Sequence, residues 1–135
     1  MKHWLITLAI LSNAVAQSTP EAGYRHYLQR ADSAKVYQDL IPALSSAGRL
    51  QMSPNLGPDR LRSAKLASQF PATIKQHRVI GKFAILQLEK KHDGKSYHTY
   101  LRMDLEDGVW KNSLFLGGSS EYKDMDAACA DLIKR

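Results

Sequence analysis

Two Asp-Gly pairs, Asp93-Gly94 and Asp107-Gly108, divide residues 77–117 into three apolar-rich stretches, FAILQLEKK, SYHTYLRMDL and VWKNSLFLG. A tight hairpin needs positive φ, which glycine tolerates without steric cost and aspartate tolerates better than most residues. Each pair therefore predicts a turn, and the two turns in succession predict an antiparallel meander. In the middle stretch Tyr97, Thr99, Leu101, Met103 and Leu105 alternate with Ser96, His98, Tyr100, Arg102 and Asp104. That is the period-two pattern of a strand with one face on a core, and the Leu101 face is the inner one. The other row reads as a solvated outer face, with Arg102 and Asp104 paired across strands. The preceding strand is apolar on both sides, with Ala84, Leu86 and Leu88 on one and Phe83 and Ile85 on the other, which places it inside the sheet.

Helical patterns come before the meander. Thr19-Pro20-Glu21 is a helix entry, with Thr as N-cap and Pro in the first turn, and Tyr24, Tyr27, Leu28 and Ala31 follow on one stripe, so a helix is expected over about residues 20–31. A second stripe, Val36, Leu40, Ala43, Leu44 and Ala47, is interrupted by Pro42, which removes a donor and clashes with the preceding turn. A kink or a restart near Ile41 is expected there, and a stop at Gly48. Residues 51–59 form a loop, a third helix runs from Gly57-Pro58-Asp59 to about Gln69, and Phe70-Pro71 ends it. Residues 73–79 make a first strand, and Gly81 the corner into the next. After a Gly117-Gly118-Ser119-Ser120 hinge, Met125, Ala128, Cys129, Leu132 and Ile133 recur at helical spacing in a tail over about residues 122–135. Cys129 lies mid-stripe and reads as a small buried hydrophobe.

The N-terminus carries Lys2, an apolar run from Trp4 to Leu11, and Ala14-Val15-Ala16 ahead of Gln17. This is the pattern of a secretory signal peptide over residues 1–16, and its apolar run falls short of the roughly 20 residues that span a bilayer. The expected product is a single domain, residues 17–135, secreted or periplasmic, soluble after cleavage near Ala16 and without stable membrane insertion. Cleavage takes only Lys2 from nineteen basic residues, so 119 residues carry eighteen bases against thirteen acids, a balance of +5. Such a length buries roughly two-thirds of its unfolded surface, and no staple is required. The single cysteine allows no internal disulfide in any case. The basic residues are scattered, and the nearest to a patch is Lys90, Lys91 and Lys95 at the first hairpin, with Arg60, Arg62 and Lys65 on a separate helix. Export and this scatter argue against a nucleic-acid partner; a homodimer is compatible with the sequence.

A Tyr-rich first helix ending in Asp32, a second helix ending in IPALSSAGR, the corner GKFAILQL and the strand opening EDGVWK together resemble exported members of the nuclear transport factor two-like superfamily. This is a cystatin-like α+β roll that includes ketosteroid isomerases and polyketide cyclases, and the resemblance covers roughly residues 21–116. It implies an α+β fold with N-terminal helices packed on a curved antiparallel meander. The chain departs from the family in its Gly-Ser hinge and helical tail, expected to cover the mouth of the cone or a sheet edge. Its sheet is also short by one or two strands beside the larger enzymes.

An isomerase or dehydratase of that kind needs a carboxylate or imidazole inside the cone, opposite an acidic donor. Asp39, Asp104, His77, His98, Tyr97, Tyr100 and the group Tyr24, His26 and Tyr27 are the residues available, and no position matches the isomerase acids, so no catalytic residue is assigned. The five histidines show no i, i+4 pair and no Cys partner, which gives no zinc spacing. No phosphate loop or nucleophile elbow is present, and no cofactor is indicated. What remains is a binding surface lined by Tyr24, Tyr27, Leu101, Met103, Trp110 and Leu114, residues that also serve as core. The expected activity is binding of a small apolar ligand or a protein partner without catalysis. The alternatives are an isomerase-like enzyme using Tyr24, Tyr27 and Asp39, and a secreted inhibitor or immunity-type protein.

Overall fold

A computed structural model describes residues 19–135, so the signal-peptide reading of residues 1–16 lies outside the described residues. The fold is α+β: helices come first, a four-stranded antiparallel meander follows in the order β1-β2-β3-β4, and a short C-terminal helix closes the chain.

Helix α1, Pro20–Ser33, begins where expected, the Thr19 hydroxyl accepting from the Ala22 amide at 3.1 Å. It buries Gly23, Tyr24, Tyr27 and Ala31 on one stripe. Gly23 is required by close approach, since a Cβ there would overlap the carbonyl oxygen of Trp110. The second stripe does not form one kinked helix. It becomes a 3₁₀ helix, Tyr37–Ala43, and a single turn α2, Ser46–Arg49, with Leu44 between them bridged to Asn112. Pro42 cannot donate to an α-helical ladder, and the Ser45 amide instead donates to the Asn112 carbonyl at 3.0 Å. Leu40, Ala43 and Leu44 are buried, but Val36 faces solvent. Helix α3, Gly57–Gln69, has the expected bounds.

The strands are β1, Thr73–Ile80; β2, Phe83–His92; β3, Lys95–Glu106; and β4, Val109–Gly118. Both turns take the left-handed backbone their Asp-Gly pairs predicted, with φ of 52° and 74° at Asp93 and Gly94, and 53° and 76° at Asp107 and Gly108. β2 and β3 pair without a break from Phe83 opposite Asp104 to His92 opposite Lys95.

The sheet is covered on both faces. One face packs Ala84, Leu86, Leu88, Leu101 and Met103 against Tyr24, Tyr27, Leu40, Leu44 and Ala64 of the N-terminal helices. The other packs Ile85 and Tyr100 against Tyr122 and against Met125, Ala128, Cys129 and Leu132 of α4, Met125–Leu132. The tail therefore lies over the back of the sheet rather than the mouth of a cone or a sheet edge. The chain reverses at Gly118, whose carbonyl accepts from the amides of Glu121 and Tyr122, each at 3.0 Å. Cys129 is buried, and burial raises its thiol pKa.

This cover overturns the solvated reading of the polar row on β3. Tyr100, Arg102 and Asp104 are 2%, 2% and 7% exposed. Arg102 and Asp104 pair along their own strand rather than across strands, Nε to Oδ1 at 2.8 Å and Nη2 to Oδ2 at 3.2 Å. Residues i and i+2 of a strand share a face, which makes a bidentate pair possible between them. Arg102 Nη1 also donates to the carbonyls of Leu132 and Arg135, at 3.0 and 2.8 Å, so it holds the end of α4.

Candidate functional site

Between the sheet and helices α1 and α3 lies a cavity of about 280 Å³. Alternation along the strands builds its floor: Leu88 and Lys90 of β2 and Tyr97, Thr99 and Leu101 of β3 point to the helical side, with Leu88 opposite Thr99 and Lys90 opposite Tyr97. Tyr24 and Tyr27 come from α1, and Arg60, Ser63, Ala64 and Ala67 from α3. Asn112, Leu114 and Leu116 of β4 and Ala72 complete the wall. Leu88 and Leu101 are buried, whereas Tyr97, Leu116 and Lys90 are exposed, so the cavity opens toward the Asp93-Gly94 hairpin.

Four of the six residues expected to line a pocket do so, namely Tyr24, Tyr27, Leu101 and Leu114. Met103 and Trp110 do not reach it. Met103 is fully buried between Ala84 and Asn112 on the neighbouring strands, and Trp110 is buried in the core where the backbone of β4 passes Gly23. Both are core residues behind the wall.

The wall contains a bulge with no counterpart in the sequence pattern. The step from Leu101 to Met103 on β3 faces the longer step from Leu116 to Asn112 on β4. The surplus is folded out with Leu114 in the left-handed region at φ 65°, an unusual conformation for a leucine. Side chains replace the missing ladder: the Leu114 amide donates to Asn112 Oδ1 at 2.8 Å, Ser113 Oγ to the Arg102 carbonyl at 2.7 Å, and the Phe115 amide to Ser113 Oγ at 3.1 Å. Gln51 Nε2 then donates to the Ser113 carbonyl at 2.7 Å, and Gln51 Oε1 accepts from Arg60 Nη2 at 3.0 Å. The bulge thus positions both Leu114 and the guanidinium on the far wall. Because the surplus is even, Trp110, Asn112, Leu114 and Leu116 keep their period-two appearance, and the sequence carries no trace of it. Arg60, Ser63 and Ala67 were also missed, since nothing short of the packing of α3 shows which of its residues turn toward the cavity.

The remaining sequence candidates are dispersed. Asp39 Oδ2 accepts from the amides of Lys35 and Val36 at 2.9 and 3.2 Å, and those bonds lower its pKa; it caps the 3₁₀ helix and lines no part of the cavity. His26 is half-buried on α1, its pKa lowered by burial and then by Arg30 and Lys111. His77 Nδ1 lies 2.5 Å from Glu21 Oε1. His98 sits on the opposite face, Nε2 3.0 Å from Glu89 and Nδ1 2.9 Å from Gln87 Nε2, and its hydrogen bond is the main reason the Glu89 carboxyl is held low. Among the described residues no cluster of three His, Cys, Asp or Glu could hold a metal ion, and no helix is long and apolar enough to cross a membrane.

The phenols of Tyr24 and Tyr27 are neutral across the physiological range. Their rings lie 6.3 Å apart, and burial raises both; Tyr27 is pushed up to about 12 by burial and then by Tyr24, against a smaller opposing pull from Arg60. On the other face burial likewise raises Tyr100, and it pushes Tyr122 to about 12 with help from the bond to Asp131. A folded-state pKa above the unfolded value, roughly 10, stabilises the fold below that pH, and the contribution is lost as pH rises through the folded value. In an alkaline titration followed by phenolate absorbance, Tyr24, Tyr27, Tyr100 and Tyr122 are expected to ionise later than in the urea-unfolded chain, with loss of the fold between about pH 10 and 12. Ionisation of all six tyrosines together near pH 10 in a chain that stays folded would contradict this burial.

No family model, curated protein or solved structure matches this chain.

Proposed function

We propose that the chain is an exported binding domain that takes a small apolar ligand into the cavity between α1, α3 and the sheet and does no chemistry on it. The observation that carries this is the make-up of the wall. It is mostly aliphatic and aromatic, with phenols, hydroxyls, an amide and two cations, and no carboxylate, imidazole or thiol among the described lining residues. Small-ligand sites have this composition, a mainly apolar hollow with a few polar groups. Isomerase chemistry requires a base within hydrogen-bond reach of the substrate. Asp39, the acid that reading would use, is instead committed to a cap. Kinship with the nuclear transport factor two-like superfamily belongs to the same proposal and rests on helices laid over one face of an antiparallel meander.

Mass spectrometry of the protein released under non-denaturing conditions from its native exported fraction tests the reading. The expected species begins at Gln17 and carries a bound small molecule. A bare chain, or one held by another protein, would move function to the surface. Phe70, 65% exposed near Lys90 and Lys91, is the feature that the inhibitor reading would then use.

A further inference from the structure

The charge of the cavity wall narrows the ligand further, provided the cavity is a binding site as proposed above. Two of its lining residues are cations, Arg60 and Lys90, and none is an anion. Neither cation is in an ion pair among the described residues. The nearest acid in sequence to Arg60, Asp59, is turned to Arg62 at 3.0 Å. On β2 the alternation sends Glu89 to the opposite face, where it meets His98, while Lys90 stays on the cavity side. Arg60 is also held in place: it gives one donor to Gln51, itself bonded to the bulge, and a guanidinium has five. A fixed guanidinium with donors to spare, on a largely apolar wall, suits a carboxylate or phosphate better than a neutral group.

The apolar part of the wall sets the rest of the ligand. Leu88, Leu101 and Leu114 lie inside and Leu116 and Tyr97 at the opening. A hollow of about 280 Å³ is at the small end of ligand sites, room for one chain rather than two. We propose that the ligand is a single-chain amphiphile with an anionic head, its hydrocarbon chain on Leu88, Leu101 and Leu114 and its head held by Arg60 and Lys90. The phenols of Tyr24 and Tyr27, neutral at physiological pH, add donors without adding negative charge.

Isothermal titration calorimetry at neutral pH with dodecanoate and with dodecan-1-ol, each kept monomeric, separates the two levels of the argument. Dodecanoate is expected to bind at least about tenfold more tightly than the alcohol, and added salt is expected to narrow the difference. Arg60→Met and Lys90→Met are each expected to weaken dodecanoate several-fold and the alcohol by less, so that the preference shrinks. Lys90 is exposed, so its variant keeps the test alive should the loss of the Gln51 bond harm folding of the other. Equal binding of alcohol and carboxylate overturns the anionic head and leaves the cavity standing. A preference untouched by both substitutions overturns the assignment to Arg60 and Lys90. Binding of neither probe overturns the cavity reading and this proposal with it. Retention on phosphatidylglycerol vesicles without binding of monomeric dodecanoate overturns the single-chain ligand.

Discussion

Arg102→Met is expected to lower the unfolding free energy by about 3–5 kcal/mol, a large share of the ~5–15 kcal/mol that holds a domain together. Arg102 is 2% exposed, its guanidinium bonded to both oxygens of Asp104 and to the carbonyls of Leu132 and Arg135. It lies between the rings of Phe83 and Phe115, 4.8 and 4.7 Å from their centres. Removing it leaves the Asp104 carboxylate buried without its partner and takes the donor from two carbonyls at the end of α4. The penalty comes mainly from what is orphaned rather than from the attraction lost. The double change Arg102→Met with Asp104→Leu is therefore expected to recover much of the loss, although each single change is damaging. Lysine at 102 is not expected to rescue, because a point charge cannot serve a bidentate carboxylate and two carbonyls at once. Urea unfolding of the parent, the two single changes, the double change and Arg102→Lys reads this directly. A single Arg102→Met variant within about 0.5 kcal/mol of the parent would show the pair to be dispensable.

Ending the chain after Gly118 is expected to abolish cooperative folding. The deleted segment supplies Tyr122, Met125, Ala128, Cys129 and Leu132, all 6% exposed or less, and it covers Ile85 and Tyr100. Among these Ile85, Tyr100, Tyr122, Met125 and Leu132 are large side chains, each contributing about 1.5–3 kcal/mol on full burial. Their sum matches the whole stability of a typical domain, and the Arg102 and Asp104 charges would be uncovered as well. The truncated chain is expected to bind hydrophobic dyes and to unfold without a sharp transition. By contrast, Arg78→Ala, which removes a solvent-exposed ion pair to Asp126, is expected to leave a cooperative transition close to the parental midpoint. A cooperative transition at the parental midpoint in the truncated chain would show that the N-terminal helices and the sheet suffice alone.

These two results concern the part of the molecule that alternation along β3 described least well. The period-two pattern tells which residues share a face, and it did so correctly for Tyr97, Thr99 and Leu101 against His98, Tyr100 and Arg102. It does not tell what covers each face. The apolar stripe of α4 demanded burial, and Cys129 duly lies inside, but a short helix on a Gly-Ser hinge could have met the stripe's demand at several places. Docking on the polar row became favourable because Arg102 and Asp104 satisfy each other and the helix end.

Local chemistry within a few residues determined the two Asp-Gly turns, the bounds of α3 between Gly57 and Gln69, and the start of α1 at its Thr19 cap. It also determined which stripe of α1 and which side of β3 are apolar, and so turned Tyr24, Tyr27 and Leu101 toward the core side that holds the hollow. The tertiary structure alone decided that Arg60 and Lys90 share that hollow, that Trp110 and Met103 stand behind it, and that Leu114 enters it from a bulge. Those outcomes depend on contacts such as Gln51 with Ser113, Gly23 with Trp110 and Arg102 with Leu132, between residues far apart in the chain, where no spacing or propensity records which partner will be met.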